Sequence, residues 1–151
     1  MLEDLQSARE QWGGVNDTID RWLRERQLLL VDYCSLSDEP DGDQAAAKLQ
    51  RTCQLLVDYI SAGHFEIYDK LIKEGKDFAN DKALAEAKGL FADIDNTTEH
   101  ILDFNDKYQE TDDLSSLAQD LSQLGETLAT RFEAEDRMIE VLHNAHKDRL
   151  H

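Results

Sequence analysis

Residues 114–139 read LSSLAQDLSQLGETLATRFEAEDRMI, and their spacing decides the fold class. Leu114, Leu117, Leu121, Leu124, Leu128, Phe132 and Ile139 recur at the intervals that line one face of an α-helix. Outward from that stretch, three more segments carry the same period. The first runs from about Leu2 to Leu36, with a weak point at Gly13-Gly14, and turns Trp12, Val15, Ile19, Trp22, Leu23, Leu30 and Tyr33 inward. The second runs from about Asp43 to Glu74, with Leu49, Cys53, Leu56, Ile60, Ile67 and Leu71 inward. The third runs from about Asp81 to Tyr108, with Leu84, Ala87, Phe91, Ile94, Thr98, Ile101 and Leu102 inward. The last segment continues to about Ala145.

Three polar breaks separate these segments. Ser37 to Gly42 gathers turn-forming residues around Pro40, Gly75 to Asn80 ends the second segment, and Glu110 to Asp113 offers Thr111 or Asp112 as an N-cap. Helices of about 28 to 35 residues are roughly 40 to 50 Å long, and short connections send consecutive ones back alongside each other. The expectation is an all-α, antiparallel up-down-up-down four-helix bundle with long helices, residues 1–151 forming a single domain.

Composition limits the functions open to such a bundle. With 33 Asp+Glu against 16 Lys+Arg, the net charge of −17 repels phosphate backbones and anionic lipid, so neither direct nucleic-acid binding nor membrane attachment is expected. The N-terminus, Met-Leu-Glu-Asp-Leu, is acidic where a targeting peptide would be basic. Leu28 to Val31 is the longest run of large apolar residues, so a cytoplasmic protein is expected. Cys34 and Cys53 both sit in helical patterns with aliphatic neighbours, the setting of buried free thiols rather than of a disulfide.

Chemistry is scarce. There is no Gly-rich phosphate loop, no Cys-x-x-Cys and no Ser nucleophile elbow. A bundle rich in carboxylate invites comparison with metal-binding bundles of the hemerythrin or ferritin type, and a ferritin-like di-metal site draws on two Glu-x-x-His motifs. Only Glu140 to His143 has that spacing, and it lies in the last turns, where a frayed, solvated end is expected even though His143 and His146 could grip a metal weakly. No enzyme is expected: no residue is assigned to catalysis, to a cofactor, to a metal or to a small-molecule substrate.

Two charges fall in the apolar stripes. Arg26 stands between Trp22 and Leu30, level with about Cys53 to Asp58; Glu135 stands between Phe132 and Ile139, one or two turns from His64. His64, on the edge of the second stripe, is expected as a hydrogen-bonded core histidine. Buried charges need partners, so Arg26 and Glu135 either fix the packing register or line a polar pocket. Opposite the core of the second segment, Asp58, Ser61, Ala62, Phe65 and Asp69 fall within about 100° of one another. An apolar anchor, Phe65, ringed by small and acidic residues suits a basic partner, unless the N-terminal segment folds over it. On these grounds alone, an acidic helical adaptor for some basic protein is the reading.

Three stretches go further: DRWLRERQLLLVDY (20–33), LVDYISAGHFEIYD (56–69) and RFEAEDRMIEVLH (131–143). They resemble the Rsd/AlgQ family of bacterial anti-sigma factors, and within it look most like the AlgQ branch. The likeness covers essentially the whole chain, weakest over 37–52 and 73–113. It implies a transcription regulator that binds the carboxy-terminal, −35-recognising region of the primary sigma-70 factor (region 4) and hinders its use by core polymerase. It implies also that the contact surface lies on the first two helices, with Trp22, Asp58, Ser61 and Phe65 at the family's polar and aromatic positions.

Overall fold

The computed structural model describes residues 14–77 and 81–144, the side chains of Val15, Asn16, Phe65 and Asn144 excepted. The expected start of the first helix with Trp12, the end at Ala145 and the histidine at 146 lie outside the described residues. All described elements are helical: α1 (Gly14–Asp38), α2 (Ala45–Ala62), α3 (Tyr68–Asp77), α4 (Asp81–Glu110) and α5 (Leu117–Ile139). A π-helical turn, Gly63–Ile67, joins α2 to α3 without leaving helical backbone, and a second, Glu140–Asn144, continues α5.

The apolar stripes do most of what their period promises. Ile19 and Trp22 of α1, Leu49, Cys53, Leu56 and Ile60 of α2, Ala87, Ile94 and Ile101 of α4, and Leu117, Leu121, Leu124, Leu128 and Ile139 of α5 are buried together, with Ile67 and Leu71 beside them. α4 packs most extensively on α5 and α1 on α2, while α3 and the second π turn hold each other and α4. Leu29 and Leu36 take inward places that the expected stripe gave to Leu30 and Tyr33, which are half-buried; Leu102 is exposed. Cys34, expected inside, is exposed, and Cys53 is buried with its thiol pushed up to about 11 by burial. Both thiols are free.

The breaks shift by a few residues. α1 runs through Ser37 and Asp38 before the turn in which the Gly42 and Ala45 amides donate to the Glu39 and Gly42 carbonyls. Gly75 does not end its helix but lies buried inside α3, where an added Cβ would stand 2.9 Å from Leu84 Cδ2 and 3.0 Å from Leu142 Cδ2. There a missing side chain serves close packing rather than a turn. Neither Thr111 nor Asp112 caps α5. Thr111 accepts from the Asp113 amide and Asp113 from the Ser115 amide, local bonds that delay the helix until Leu117 with Ser116 as its N-cap.

Candidate partner-binding site

The outer face of α2 rests on an aromatic floor. Trp22 of α1 lies parallel to Tyr59 of α2, centroids 5.1 Å apart, and its indole N–H points at the Tyr59 carbonyl at 3.4 Å. Tyr68 meets the indole edge-on at 6.0 Å. Gly63 makes that fit possible: a Cβ there would come within 3.1 Å of Tyr68 Oη and 3.2 Å of Trp22 Cζ2. Trp22 is therefore buried, at 2% exposed, and is not itself on the surface where the family resemblance put a contact. Its size and apolar body place it in the α1–α2 seam, supporting the face from beneath.

Under the floor runs a buried ionic cluster. Glu135, 1% exposed, accepts from Tyr59 Oη through Oε1 and from Tyr68 Oη through Oε2, both at 2.6 Å. Arg26 donates Nε to Tyr59 Oη at 3.0 Å and Nη1 to Asp136 at 2.6 Å, with Nη2 3.5 Å from Glu135. Its guanidinium also lies over Phe132, 4.6 Å from the ring centroid. Arg131, 1% exposed, donates Nη2 to Tyr68 Oη and Nη1 to Thr97, Thr98 and the Ile94 carbonyl. Arg131 Nε stands 3.3 Å from Glu135 Oε2, close enough for charge attraction but off the line of a hydrogen bond.

Burial raises the Glu135 pKa against the opposing pull of Arg131, Tyr59, Tyr68 and Arg26. Burial works against the Arg26 charge, yet its contacts with Tyr59 and Asp136 outweigh that and hold its pKa above the ordinary value. Tyr59 and Tyr68 are likewise raised, first by burial and then by Glu135, so both stay protonated donors. Of the two charges expected inside, Glu135 is buried and Arg26 is half-buried at the edge of the cluster. The sequence pattern missed Arg131 and the two tyrosines: Arg131 holds the inward place between Leu128 and Glu135 that the expected stripe gave to Phe132, which is half-buried. Tyr68 is turned inward where the π turn adds a residue to the helical turn.

Above the floor lies the expected outer face. Asp58 and Asp69 are exposed, and Ser61 and Ala62 are half-buried. Asp58 accepts from Gln54 Nε2 at 2.9 Å, one turn back on α2. Phe65 falls in the middle of the first π turn, and its side chain lies outside the described residues. His64, expected in the core, is instead exposed: it flanks the stripe, and Tyr68 takes the polar place facing Glu135. Glu25 of α1 joins the face unannounced. Burial, then the charges of Glu66 and Asp58, raise its pKa despite Arg21, and its Oε2 is buried with no hydrogen-bond partner among the described residues.

The end of the chain also departs from expectation. Glu140 is exposed and paired with Arg137 at 3.3 Å. His143, expected in a solvated turn, is fully buried with Nδ1 between the two oxygens of Glu74. The π turn widens the helix there and sets the two on different sides, so the Glu-x-x-His spacing does not bring its members to one point. Among the described residues no three His, Cys, Asp or Glu gather as a metal shell.

The chain matches, over residues 1–143, the family described as regulator of RNA polymerase sigma(70) subunit, Rsd/AlgQ. It is 38% identical over 149 residues to a protein named regulator of sigma D from Yersinia pseudotuberculosis (strain IP 31758), covering 93% of this chain and 88% of the relative. Proteins of the same name from Yersinia enterocolitica and Salmonella arizonae are each 36% identical, over 93% and 98% of this chain and 89% and 95% of theirs. A match spanning both the aromatic floor and the acidic face above it assigns the chain to a family: it belongs to the Rsd/AlgQ regulators of the RNA polymerase sigma(70) subunit.

Proposed function

We propose that this chain is a non-enzymatic anti-sigma factor, which binds the carboxy-terminal region of the primary sigma factor (region 4) and hinders its use by core RNA polymerase. The family match over residues 1–143 carries the reading. The electrostatics support it: a sigma segment that contacts promoter phosphates is basic, and a chain of net charge −17 with Glu25, Asp58 and Glu66 crowded on one face attracts it. On this reading Phe65 is the apolar anchor and Asp58 the central charge. Asp69 extends the acidic rim, Ser61 and Ala62 allow close approach, and Trp22 holds the face from below.

The same reading takes the whole chain as one domain with an antiparallel up-down-up-down topology. α2, its π turn and α3 form one long helix, and α5 with its π turn another. The protein works in the cytoplasm, without cofactor, metal or small-molecule substrate and without direct contact with nucleic acid or membrane. No helix among the described residues is long and apolar enough to cross a bilayer.

The test is titration of Phe65→Ala and Asp58→Ala against the isolated carboxy-terminal sigma region, with melting temperature followed in parallel. Truncating a buried interface aromatic costs about 2 kcal/mol or more, roughly thirtyfold in affinity. Both variants should lose binding and keep their melting temperature. Wild-type affinity in both removes the site from this face, and capture of an unrelated basic protein in place of sigma would make the chain a general acidic adaptor.

A further inference from the structure

We infer that the recess between α2 and the connection from α4 to α5 is a small-molecule site, whose ligand is an organic amine with an apolar body. The inference goes beyond the proposed function and does not rest on it.

The fold leaves this space for two reasons. α2 packs chiefly on α1 and touches α4 only lightly, so the two helices do not close on each other. The connection, held in local bonds through Thr111 and Asp113, starts α5 only at Leu117 and bridges the end of the gap. What remains is a cavity of about 420 Å³, within the range of about 300–1,000 Å³ that small-molecule sites occupy. Leu49, Cys53 and Tyr108 are buried and form its inner wall, with Val57 and Leu114 half-buried beside them. Burial keeps the Cys53 thiol protonated, so that wall is neutral and takes up an aliphatic or aromatic body. Only Tyr108 and Gln109 of α4 take part, so the opposing wall is too short to grip a partner helix along its length.

Charge selects the head group. At the rim stand the exposed Gln50, Gln109 and Asp112. Asp112 is the one charged side chain of the lining among the described residues, and no Lys, Arg or His joins it there. The cations nearby in the chain are engaged elsewhere: Lys107 with Asp120 at 2.6 Å and Arg51 with Asp32 at 2.7 Å. With a net charge of −17 on the whole chain, the mouth attracts a cation and repels an anion. An ammonium drawn to Asp112 has the amide oxygens of Gln50 and Gln109 on the same rim as further acceptors.

The experiment uses the full-length protein and three probes that share a body and differ in the head: phenylbutylamine, phenylbutanol and phenylbutyrate. Calorimetric titration should rank the amine first, the alcohol second and the carboxylate last. Asp112→Asn should weaken the amine about two- to fivefold, the scale of an exposed ion pair, and leave the alcohol unchanged. Ala46→Phe sets a ring into the cavity from an exposed position on α2. It should weaken amine and alcohol alike by about tenfold at an unchanged melting temperature. In Cys34→Ser, which leaves Cys53 as the only thiol, the amine should slow alkylation of Cys53 by iodoacetamide. Three results overturn the inference and leave the proposed function untouched: no saturable binding of the amine, a carboxylate that binds as tightly as the amine, or amine binding that Ala46→Phe leaves at wild-type strength with Cys53 unprotected. Protection of Cys53 that requires the sigma region, or that grows with protein concentration alone, gives the cavity to a protein partner or to a second copy and overturns the inference as well.

Discussion

Glu74 sets both its carboxylate oxygens against one nitrogen of His143, at 2.9 and 3.0 Å from Nδ1, with the two side chains 5% and 0% exposed. The contact ties the second π turn to α3, a short helix that also packs on α4. Glu74→Ala takes this partner from a buried ring. It should cost about 1–3 kcal/mol, the penalty of a buried polar group left without its bond, read as a lower denaturant midpoint at unchanged slope. An unchanged midpoint would mean that this contact adds nothing to the hold of the turn on α3.

Arg26 joins α1 to α5 through Asp136 and Glu135 and to α2 through Tyr59. Arg26→Ala should destabilise by about 3 kcal/mol, the lower end for breaking a buried pair. Asp136 is 40% exposed and can rehydrate, and Glu135 keeps Arg131, which limits the loss. Arg26→Lys should recover little of it, because one ammonium cannot reach three acceptors while lying over Phe132. Full recovery by lysine would show that charge alone matters at this position.

Glu25 gives a pH-dependent prediction of opposite sign. Its pKa is raised by burial, Glu66 and Asp58, so in the folded protein its ionised form is disfavoured. The stability this group contributes is complete below the unfolded value of about 4.5 and is lost as pH rises through the folded value. Glu25→Gln should therefore stabilise at pH 7 by a few tenths of a kcal/mol, the scale of exposed charge pairs, and the gain should vanish below about pH 4.5. Thermal melts of both proteins between pH 4 and 7 measure it. A gain that persists at pH 4 would belong to packing rather than charge. On the proposed function the same substitution weakens partner binding, so stability and binding move in opposite directions.

Period and charge told much of this in advance. The inward faces of α2 and α5 and the two charges Arg26 and Glu135 follow from spacing, because straight helical stretches keep their phase over many turns. The misreadings cluster where phase changes or where packing overrides local preference. The π turns at Gly63–Ile67 and Glu140–Asn144 leave no mark in a pattern of apolar residues, yet Tyr68 is turned inward directly after the first and His143 within the second. Gly75 reads as a helix stop but serves contact with Leu84 and Leu142. Glu25 could have been found: it sits between the stripe and the outer face of α1, where a helix meets its neighbour and a carboxylate needs explaining. The composition of the outer face was legible because Asp58, Ser61, Ala62 and Asp69 lie within about a turn and a half of the phase change.

Salt separates the roles given to charge and to the apolar anchors. Steering by a chain of net charge −17 acts before contact, so raising ionic strength should slow association with the sigma region, the Debye length shrinking from about 10 Å at 0.1 M to about 3 Å at 1 M. Asp58→Ala removes part of that field and should flatten the dependence of the association rate on salt, besides speeding dissociation. Phe65→Ala removes no charge. It should speed dissociation while leaving the salt dependence of association at its wild-type slope, because desolvated apolar contact forms only after docking. Stopped-flow or surface-bound kinetics at several salt concentrations resolve the two. If the wild-type association rate is indifferent to salt, the acidic face plays no part in steering. If Phe65→Ala alters the salt slope as much as Asp58→Ala does, the aromatic is holding the carboxylates in place rather than anchoring the partner.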